Sequence, residues 1–489
     1  MTELDTAHDS ASVHAEHLPE NGSSGDGPQN GPLHDITQRE AFWVWVKVAI
    51  YSFGGPAGQI AVMYKLLVEE KRWVSENRFL HALNYTMLLP GPEAQQLATY
   101  LGWLLHGTRG GLIAGGLFIL PGFVSILALS MLYAGYQEVT FVQALFYGLK
   151  PAVLAIVIEA VFRIGRRALK NEVMVTLSGL AFIGIFFFNI PFPIIVLAAG
   201  IIGFIGGKVW LEKFDVIKQR QTSDENEGEN EGENEGDYVI TDSVAQAQKP
   251  SMSYALRVLV IGLVVWSLPL LITWPMFGRS HVFVQEGIFF SKTAVVTFGG
   301  AYAVLAYIAQ QAVEVFGWLQ AGEMLDGLGM AETTPGPLVQ VVQFVGFMGA
   351  YRNPSTFTPL QAGVIGSVIT TWVTFVPCFL WIFLGAPFIE FWRNNKSLTT
   401  ALSGITAAVV GVILNLAVWF ALQTLFSTVN ERQLGPMRLL IPEWGTLDVV
   451  ALFIAIAAFV ALFRFKLNML IILFGSVVIS LFYYFLVIG

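Results

Sequence analysis

Residues 88–103 read LLPGPEAQQLATYLGW, and this stretch places a Pro-Gly-Pro triplet inside an apolar run. A proline lacks the backbone N–H and clashes with the preceding turn, so Pro90 and Pro92 around Gly91 predict a helix split into two halves. The run extends over residues 79–106, which is long enough to cross a hydrocarbon core of about 30 Å. The sequence therefore predicts a membrane helix that is broken near its middle.

The composition of the whole chain agrees with this prediction. Of 489 residues, 55% are hydrophobic and only 13% are charged, and the mean hydropathy is +0.62. A soluble particle of this size needs more polar surface. Apolar runs of 18 to 28 residues favour helices over the short alternating strands of a membrane barrel. The predicted fold class is an all-α polytopic membrane protein with about 13 transmembrane helices.

The apolar runs set the expected order of the helices. We predict them at 40–64, 79–106, 110–135, 141–166, 172–189, 191–210, 253–277, 285–313, 323–349, 359–386, 397–425, 445–464 and 466–488. Pro191 and Pro193 leave almost no loop between the fifth and sixth predicted helices, so the alternative is that these two form one re-entrant pair. The expected domains are a disordered acidic tail (1–38), a first repeat (39–211), an acidic low-complexity linker (212–251), an extra helix and loop (252–284) and a second repeat (285–489).

The net charge of −8 is concentrated outside the predicted helices. Residues 1–40 and 212–250 contain 19 of the 35 acids, and the rest of the chain has an excess of six positive charges. Basic loops such as the one around Arg163 to Lys170 favour a plasma (inner) membrane protein whose N-terminus and linker are cytoplasmic. One cysteine, Cys378, and seven scattered histidines give no reason to expect a metal or another cofactor.

Two motifs recur at a common spacing. At an offset of 245 residues, the second copies of Phe53-Gly54-Gly55 and Pro90-Gly91-Pro92 are Phe298-Gly299-Gly300 and Pro335-Gly336-Pro337. At an offset of 256, Pro121 aligns with Pro377 and Gly148 with Gly404. Shared offsets over several motifs indicate an internal duplication. Seven predicted crossings separate the two FGG motifs, and an odd number inverts one repeat relative to the other.

All four motifs fall near the centres of predicted helices, so the breaks gather at mid-membrane. Irregular backbone at that depth has to line a polar cavity or be buried in protein. Each half-helix that starts after a PGP triplet presents free N–H groups and a partial positive charge, which suit a small oxyanion. Nearby glutamine amides can add neutral hydrogen bonds. The predicted substrate-binding residues are Gly54, Gly55, Pro90, Gly91, Pro92, Gln95, Gln96, Lys150, Gly299, Gly300, Pro335, Gly336, Pro337, Gln340 and Gln343.

Charged residues inside predicted helices are further candidates. Glu93 adjoins the first PGP, where an acid is costly to bury, so we expect it to couple transport to protons or to pair with Lys150. Lys150 is expected to balance the charge of an anion or else to extend to an interface. Lys47 and Lys292 precede the two FGG motifs by six residues each. Lys71 and Arg72 belong to a solvated loop or to a gate that captures substrate.

Together these motifs resemble the chromate ion transporter (CHR) family in its long, two-domain form. The similar residues are Phe53-Gly54-Gly55-Pro56 with Gln59, Glu70-Lys71-Arg72-Trp73, Pro90-Gly91-Pro92-Glu93-Ala94-Gln95-Gln96 and Gly148-Leu149-Lys150-Pro151. The resemblance implies two homologous domains of opposite orientation, and efflux of chromate driven by the proton gradient, which confers resistance. It also adds Pro56 and Gln59 to the expected substrate-binding residues. Their counterparts are Ala301 and Val304, so the first half is expected to contribute more contacts.

Other functions stay open on the sequence. Sulfate has the shape and charge of chromate, so sulfate uptake or exchange is an alternative, as is a passive anion channel. A membrane enzyme is disfavoured, since no pair of His or acids has the spacing of a catalytic or metal site within the helices. The expected partners are a small inorganic oxyanion (chromate or sulfate) and the lipid bilayer, with homodimers common among transporters of this size and no nucleic acid expected.

Overall fold

Helices account for nearly all of the residues that the structure describes. A computed structural model describes residues 36–53, 55–214, 252–298, 301–320, 322–388 and 396–488. The predicted acidic tail as far as residue 35 and the linker over 215–251 lie outside the described residues. The first residues of that predicted linker are part of a short helix, Leu211–Phe214, which buries Phe214.

The first repeat begins with short helices and continues with longer ones. Thr37, Ser75 and Asn171 cap three of these helices, because each side chain accepts a hydrogen bond from a first-turn N–H. In chain order the helices are α1 Gln38–Tyr51, α2 Gly55–Tyr64 with a π-helical end Lys65–Glu70, α3 Glu76–Thr86, α4 Glu93–Tyr136, α5 Thr140–Ala168, α6 Glu172–Phe188, α7 Phe192–Val209 and α8 Leu211–Phe214.

The second part of the chain repeats this order after one extra helix, α9 Met252–Phe277. The following helices are α10 Val282–Val296, α11 Ala301–Gln310 with a π-helical end Gln311–Val315, α12 Glu323–Thr333, a 3-10 turn Leu338–Gln340, α13 Val341–Arg352, α14 Pro359–Gly385, a 3-10 turn Ala386–Phe388, α15 Lys396–Leu425, α16 Val449–Phe463 and α17 Met469–Tyr483, which ends in a π-helical turn Tyr484–Ile488. A hairpin of β1 Val429–Leu434 and antiparallel β2 Met437–Pro442 lies between α15 and α16. The sequence did not predict this hairpin.

The helix expected at 40–64 is two helices that turn back on each other. Lys71 Nζ, just after the π-helical end of α2, lies 2.8 Å from Glu40 Oε1 in the first turn of α1. A continuous helix would separate these residues by roughly 46 Å at 1.5 Å per residue. Gly55, with a φ of +73°, opens α2 after the reversal. The pair α1–α2 is therefore a re-entrant hairpin.

The helix expected at 79–106 reverses in the same way at its PGP triplet. The Arg78 guanidinium, near the start of α3, donates a 2.6 Å hydrogen bond to the Tyr100 hydroxyl in α4. At residue 106, the last residue of the expected helix, His106 Nε2 lies 2.8 Å from the carbonyl oxygen of Ile36, close to the start of α1. Both hairpins thus open toward one face of the protein, called here the N-terminal face.

Helix α4 is itself two antiparallel arms, 93–105 and 108–136. His106 and Gly107 have non-helical dihedral angles, and the arms pack so closely that a Cβ at Gly102 would lie 2.5 Å from Ala114 Cβ. This break falls in the gap predicted between residues 106 and 110. The second arm leads away from the N-terminal face, and α5 returns.

The second repeat has the same construction. The Phe289 and Tyr307 rings, on α10 and α11, lie 5.6 Å apart, and Arg352 Nη2 at the end of α13 is 2.7 Å from Glu323 Oε1 at the start of α12. The helices expected at 285–313 and 323–349 are therefore also re-entrant hairpins. A backbone hydrogen bond also recurs at the offset of 245. The backbone N–H of Trp73 donates to the Leu67 carbonyl, and that of Trp318 donates to the Ala312 carbonyl.

The longer helices of the two repeats are exchanged. Helix α5 of the first repeat packs against α16 and α17 of the second, while α15 of the second packs against α6 and α7 of the first. A Cβ at Gly148 would lie 2.6 Å from the Ser476 carbonyl oxygen, and a Cβ at Gly404 would lie 2.6 Å from that of Ala199. Because both pairs of helices pack mainly on the other repeat, the repeats form one interleaved body.

The helices differ in length and in how much of their surface is covered. Within the described residues, seven helices are long and apolar enough to cross a membrane, and two shorter apolar helices, α6 and α16, accompany them. This differs from the expected count of about 13 because four predicted spans are re-entrant hairpins. Helix α9 exposes large apolar side chains such as Leu256 and Leu271 and buries only Ala255 and Thr273. The chain is a polytopic all-α integral membrane protein.

Candidate functional site

The two PGP triplets are joined across the repeats by a pair of equivalent hydrogen bonds. The N–H of Gly91 donates to the Thr297 carbonyl over 2.8 Å, and the N–H of Gly336 donates to the Ser52 carbonyl over 3.0 Å. Both donors and both acceptors are related by the offset of 245. Each PGP turn is therefore fixed by the FGG turn of the other repeat, and the four breaks meet at one place.

The glycine of each triplet is required by its backbone and by its neighbours. The φ angles of Gly91 and Gly336 are +125° and +111°, a region that side chains with a Cβ rarely occupy. A Cβ at Gly91 would lie 2.8 Å from Cys378 Sγ, and one at Gly336 would lie 3.1 Å from the Cα of Gly122. Cys378 and Gly122 correspond at an offset of 256, so the contact is also reciprocal.

A small cavity lies where these breaks meet, with about 10 Å³ of space for the centre of a water-sized molecule. Both repeats contribute to its wall, and the starts of the two half-helices, at positions 92–94 and 337–339, are equivalent. Its lining residues are Pro56, Gln59, Pro92, Glu93, Ala94, Ala301, Pro337, Leu338 and Val339. The cavity therefore has helix N-termini on both sides.

This arrangement favours a small anion over a cation. The first N–H groups of a helix have no partner within the helix, and the helix dipole adds a partial positive charge at the same end. Two such ends at one cavity provide anion binding without a buried cationic side chain. Glu93 is the one acidic residue in the cavity lining as the structure describes it.

The glutamines predicted to bind substrate all donate to protein acceptors, and two of them bond the PGP turns. Gln59 Nε2 donates to the Gly336 carbonyl over 2.5 Å, and Gln96 Nε2 donates to the Pro90 carbonyl over 2.7 Å. Gln95 and Gln340 donate to Thr99 and Gln343, and Gln343 donates to the Phe123 carbonyl. Each amide nitrogen carries two hydrogens, so these bonds occupy part of their capacity. Gln59 also lines the cavity and connects the first repeat to the second PGP.

The predicted lysines and arginine lie away from the cavity. Lys150 Nζ is 3.3 Å from Asp326 Oδ2, so its ionic partner is Asp326 and not Glu93. Lys47 and Lys292 lie on exposed faces of α1 and α10. Lys71 pairs with Glu40, and Arg72 is exposed beside it.

The remaining predicted glycines and prolines lie at or near the breaks, with three exceptions. Gly55 begins α2, and the Pro335 carbonyl oxygen would be 2.8 Å from a Cβ at Gly122. Gly54, Gly299 and Gly300 lie outside the described residues, so their predicted roles stay predictions.

Four buried acids in the second repeat were missed by the sequence analysis: Glu286, Glu323, Asp326 and Glu332. Neither carboxylate oxygen of Glu286 accepts a hydrogen bond from a described residue. Three of the four fall within the helix expected at 323–349. An acid within a predicted membrane helix was the signal that could have identified them.

Comparison with known proteins gives a consistent result. A family model described as Chromate transporter matches residues 39–204 and 284–481, which correspond to the two repeats. A chromate transport protein of Pseudomonas aeruginosa is 31% identical over 382 residues, covering 76% of this chain and 79% of that protein. A chromate transport protein of Cupriavidus metallidurans is 26% identical over 378 residues, covering 77% of this chain and 81% of that protein. An uncharacterized transporter of Methanocaldococcus jannaschii is 24% identical over 443 residues, covering 90% and 92%. No solved structure matches the chain significantly.

Proposed function

The chain belongs to the chromate transporter family, and from this membership we propose that it is a secondary active transporter that exports chromate in exchange for protons and confers chromate resistance. The observation that carries the proposal is the cavity between the repeats, with a half-helix N-terminus on each side. In this proposal a tetrahedral dianion receives N–H groups from both ends once movement of the repeats has opened the cavity to admit it. Release to either side then depends on which repeat moves away.

The proposed topology follows from the hairpins. The second arm of α4 and helices α5, α6, α7, α9, α14, α15, α16 and α17 cross the membrane, as supported by the seven long apolar helices and the two shorter ones among the described residues. In this proposed topology five crossings separate the first FGG motif from the second, where the sequence predicted seven. An odd number inverts one repeat relative to the other. In this arrangement the N-terminal face is cytoplasmic and residue 488 lies at the opposite face. Alternating access by movement of one repeat against the other is typical of inverted-repeat transporters.

Glu93 provides the link to protons in this proposal. Glu93 lines the same cavity as the helix N-termini. A dianion beside an ionised carboxylate is disfavoured by like-charge repulsion, whereas a protonated Glu93 removes that repulsion. Protonation of Glu93 and binding of the dianion therefore favour each other at one site, which links chromate to protons. Exchange in addition requires groups that carry protons back when the cavity is empty of chromate.

The test is flux in proteoliposomes that contain the purified full-length chain. With an imposed pH gradient, labelled chromate is expected to accumulate against its concentration gradient, and sulfate is measured in parallel as the competing oxyanion. Glu93→Gln is expected to abolish gradient-driven accumulation, because the neutral amide cannot bind and release a proton. Glu69→Gln, which changes an exposed acid in the π-helical turn, serves as the control.

Three outcomes contradict the proposal in different ways. Chromate flux that does not saturate and ignores the pH gradient identifies a passive channel. Sulfate flux that greatly exceeds chromate flux assigns the cavity to sulfate. Normal accumulation by Glu93→Gln removes Glu93 from the coupling mechanism while leaving the oxyanion site in place.

A further inference from the structure

Helix α12 of the second repeat lies against α5 of the first. Two groups of titratable side chains lie along this contact, one on each side of its midpoint. Asp326 and Glu332 on α12 are 1% and 2% exposed. They are six residues apart, which is a rise of about 9 Å along the helix. Each has charged or phenolic neighbours, and neither belongs to the cavity lining.

The group nearer the face opposite the N-terminal face is built around Asp326. Its Oδ2 lies 3.3 Å from Lys150 Nζ and 2.9 Å from the Tyr133 hydroxyl. The same hydroxyl is 3.3 Å from Glu323 Oε1, and Arg352 holds Glu323 with two hydrogen bonds of 2.7 and 2.8 Å. The side chains of Lys150 and Arg352 are 31% and 24% exposed, so this group reaches the protein surface.

The group nearer the N-terminal face is built around Glu332. Its Oε1 accepts a 2.6 Å hydrogen bond from the Tyr302 hydroxyl, and Tyr302 adjoins Ala301 of the cavity lining. Arg163 and Glu159 of α5 are within electrostatic range of Glu332 and form an ion pair of 3.5 Å with each other. Their side chains are 34% and 29% exposed, near the end of α5 that lies at the N-terminal face.

Between the two groups the helices meet through apolar atoms. A Cβ at Gly329 would lie 3.4 Å from Leu149 and 3.6 Å from Val153. The described side chains at this contact therefore offer no polar step between the two groups, and we expect a proton to cross when α12 moves relative to α5. A coupled transporter needs such a barrier, because an open route would dissipate the gradient.

One oxygen of each acid is available for a proton. Asp326 Oδ1 and Glu332 Oε2 are buried and accept no hydrogen bond from a described residue. Leaving a buried carboxylate oxygen without a partner is costly in a purely structural ion pair. Asp326 is paired with the opposite repeat through Lys150 of α5 and Tyr133 of the second arm of α4, and Glu332 lies within electrostatic range of Arg163 and Glu159 of α5. The environment of each acid therefore changes when the repeats move.

From this geometry we infer that Asp326 and Glu332 bind the transported protons in turn, along the α5–α12 contact and beside the oxyanion cavity. A proton from water at the opposite face is taken up by the Asp326 carboxylate, passes to the Glu332 carboxylate when the helices move, and leaves to water at the N-terminal face. No other bond is made or broken. The inference rests on the proposed function and adds the route by which the coupled ion travels.

The experiment separates exchange of substrate from coupling to protons. Full-length protein in proteoliposomes is tested for chromate counterflow at equal pH, for pH-gradient-driven accumulation, and for proton movement with an internal pH dye. Asp326→Asn and Glu332→Gln are expected to retain counterflow within about twofold and to lose gradient-driven accumulation by at least about tenfold, because the amides cannot carry a proton. Asp326→Glu and Glu332→Asp retain a carboxyl group and are expected to restore part of the coupling.

The remaining outcomes are decisive. Glu431→Gln, in the exposed β1 strand, is the control and should resemble the unaltered protein. Gradient-driven accumulation that survives both amide substitutions overturns the inference. So does the equal loss of counterflow and accumulation in both, or failure of the carboxyl variants to restore coupling, since either result indicates a structural role. Absence of counterflow in the unaltered protein instead overturns the proposed substrate, so the two failures are distinguishable.

Discussion

Leu338 is the first residue of the second half-helix at the cavity, and its backbone N–H is one of those proposed to face the anion. It follows Pro337, whose φ of −67° and ψ of 135° are those of extended backbone. That conformation is the one a residue adopts before a proline, and the first position of a helix tolerates proline well. The N–H at residue 338 can therefore be removed without a change of charge or a break in the helix.

Leu338→Pro is expected to weaken chromate binding. A hydrogen bond to a charged group contributes about 1.5–3 kcal/mol, which corresponds to roughly 10- to 150-fold in affinity. The measurement is the concentration dependence of counterflow, whose half-saturation concentration should rise by that factor. Leu338→Ala also removes the buried side chain but keeps the N–H, so it serves as the matched control.

Equal half-saturation concentrations for Leu338→Pro and Leu338→Ala would show that the N–H at residue 338 does not contact the substrate. Thermal unfolding of both variants in detergent verifies that they fold. A large fall in melting temperature for Leu338→Pro alone would point to a broken turn instead of a lost ligand.

At the residue scale the sequence located the breaks but not the charge partners. Repetition of the FGG and PGP motifs at one offset predicted that the four breaks lie at one depth, and the bonds from Gly91 to Thr297 and from Gly336 to Ser52 agree with this. The partner of Lys150 was not predictable, because Asp326 is 176 positions away in the other repeat and pairing depends on the helix exchange. The glutamine amides were expected to face substrate, whereas in the structure each donates to a protein acceptor.

At the scale of elements, the direction of the chain after each break was the main error. Hydropathy shows that residues 40–64 are apolar, and Gly54 and Gly55 indicate a break in the predicted helix. Neither feature shows whether the chain after the break crosses the membrane or returns to the face from which it came. The difference is decided by tertiary contacts such as His106 with Ile36. Longer helices without internal breaks, such as α5 and α15, were predicted to within a residue or two.

A cross-link tests the first re-entrant hairpin. In a Cys378→Ala background, which removes the single cysteine of the chain, Glu40→Cys and Lys71→Cys are introduced together. Their native side chains are 2.8 Å apart and about 40% exposed, so a short bis-maleimide should join them in high yield. The linked peptides are identified by mass spectrometry after digestion.

The matched control pairs Glu40→Cys with Gln137→Cys, which caps the far end of α4 and is also exposed. The second arm of α4 separates that residue from the N-terminal face by about 40 Å at 1.5 Å per residue. Linkage of Lys71→Cys to Gln137→Cys, tested in the same background, but not to Glu40→Cys would replace the hairpin with a continuous crossing helix.

For the molecule as a whole, exchange of helices between the repeats determines what holds the protein together. Gly148 packs against Ser476 and Ser480, and Gly404 packs against Ala199 and Gly203. Ser476 lies 277 positions after Ala199, and Ser480 lies 277 positions after Gly203, so the two interfaces are copies of one packing arrangement. Each repeat thus completes its partner's bundle, which the sequence suggested only by showing that a duplication exists.

This packing predicts that the two halves associate without a covalent connection. Expressed together as separate polypeptides, 1–230 and 231–489, they are expected to co-purify and to catalyse chromate counterflow, because the cut lies in the acidic stretch outside the described residues and touches none of the interfaces above. The Ser480 hydroxyl, which donates to the Ala144 carbonyl over 2.5 Å, marks one of the contacts that must form in trans.

Each half expressed alone is the control, and it is expected to aggregate or be degraded, since α5 alone or α15 alone leaves its buried face uncovered. Co-purification is followed through a tag on one half, and Gly148→Leu in the first half should reduce it, because a Cβ there already lies 2.6 Å from Ser476 and Ser480 atoms. Gly116→Leu, where a Cβ meets no atom within 4 Å, should not. A first half that is stable, monodisperse and active by itself would contradict the interleaved arrangement, since the cavity would then be complete without Ala301, Pro337, Leu338 and Val339.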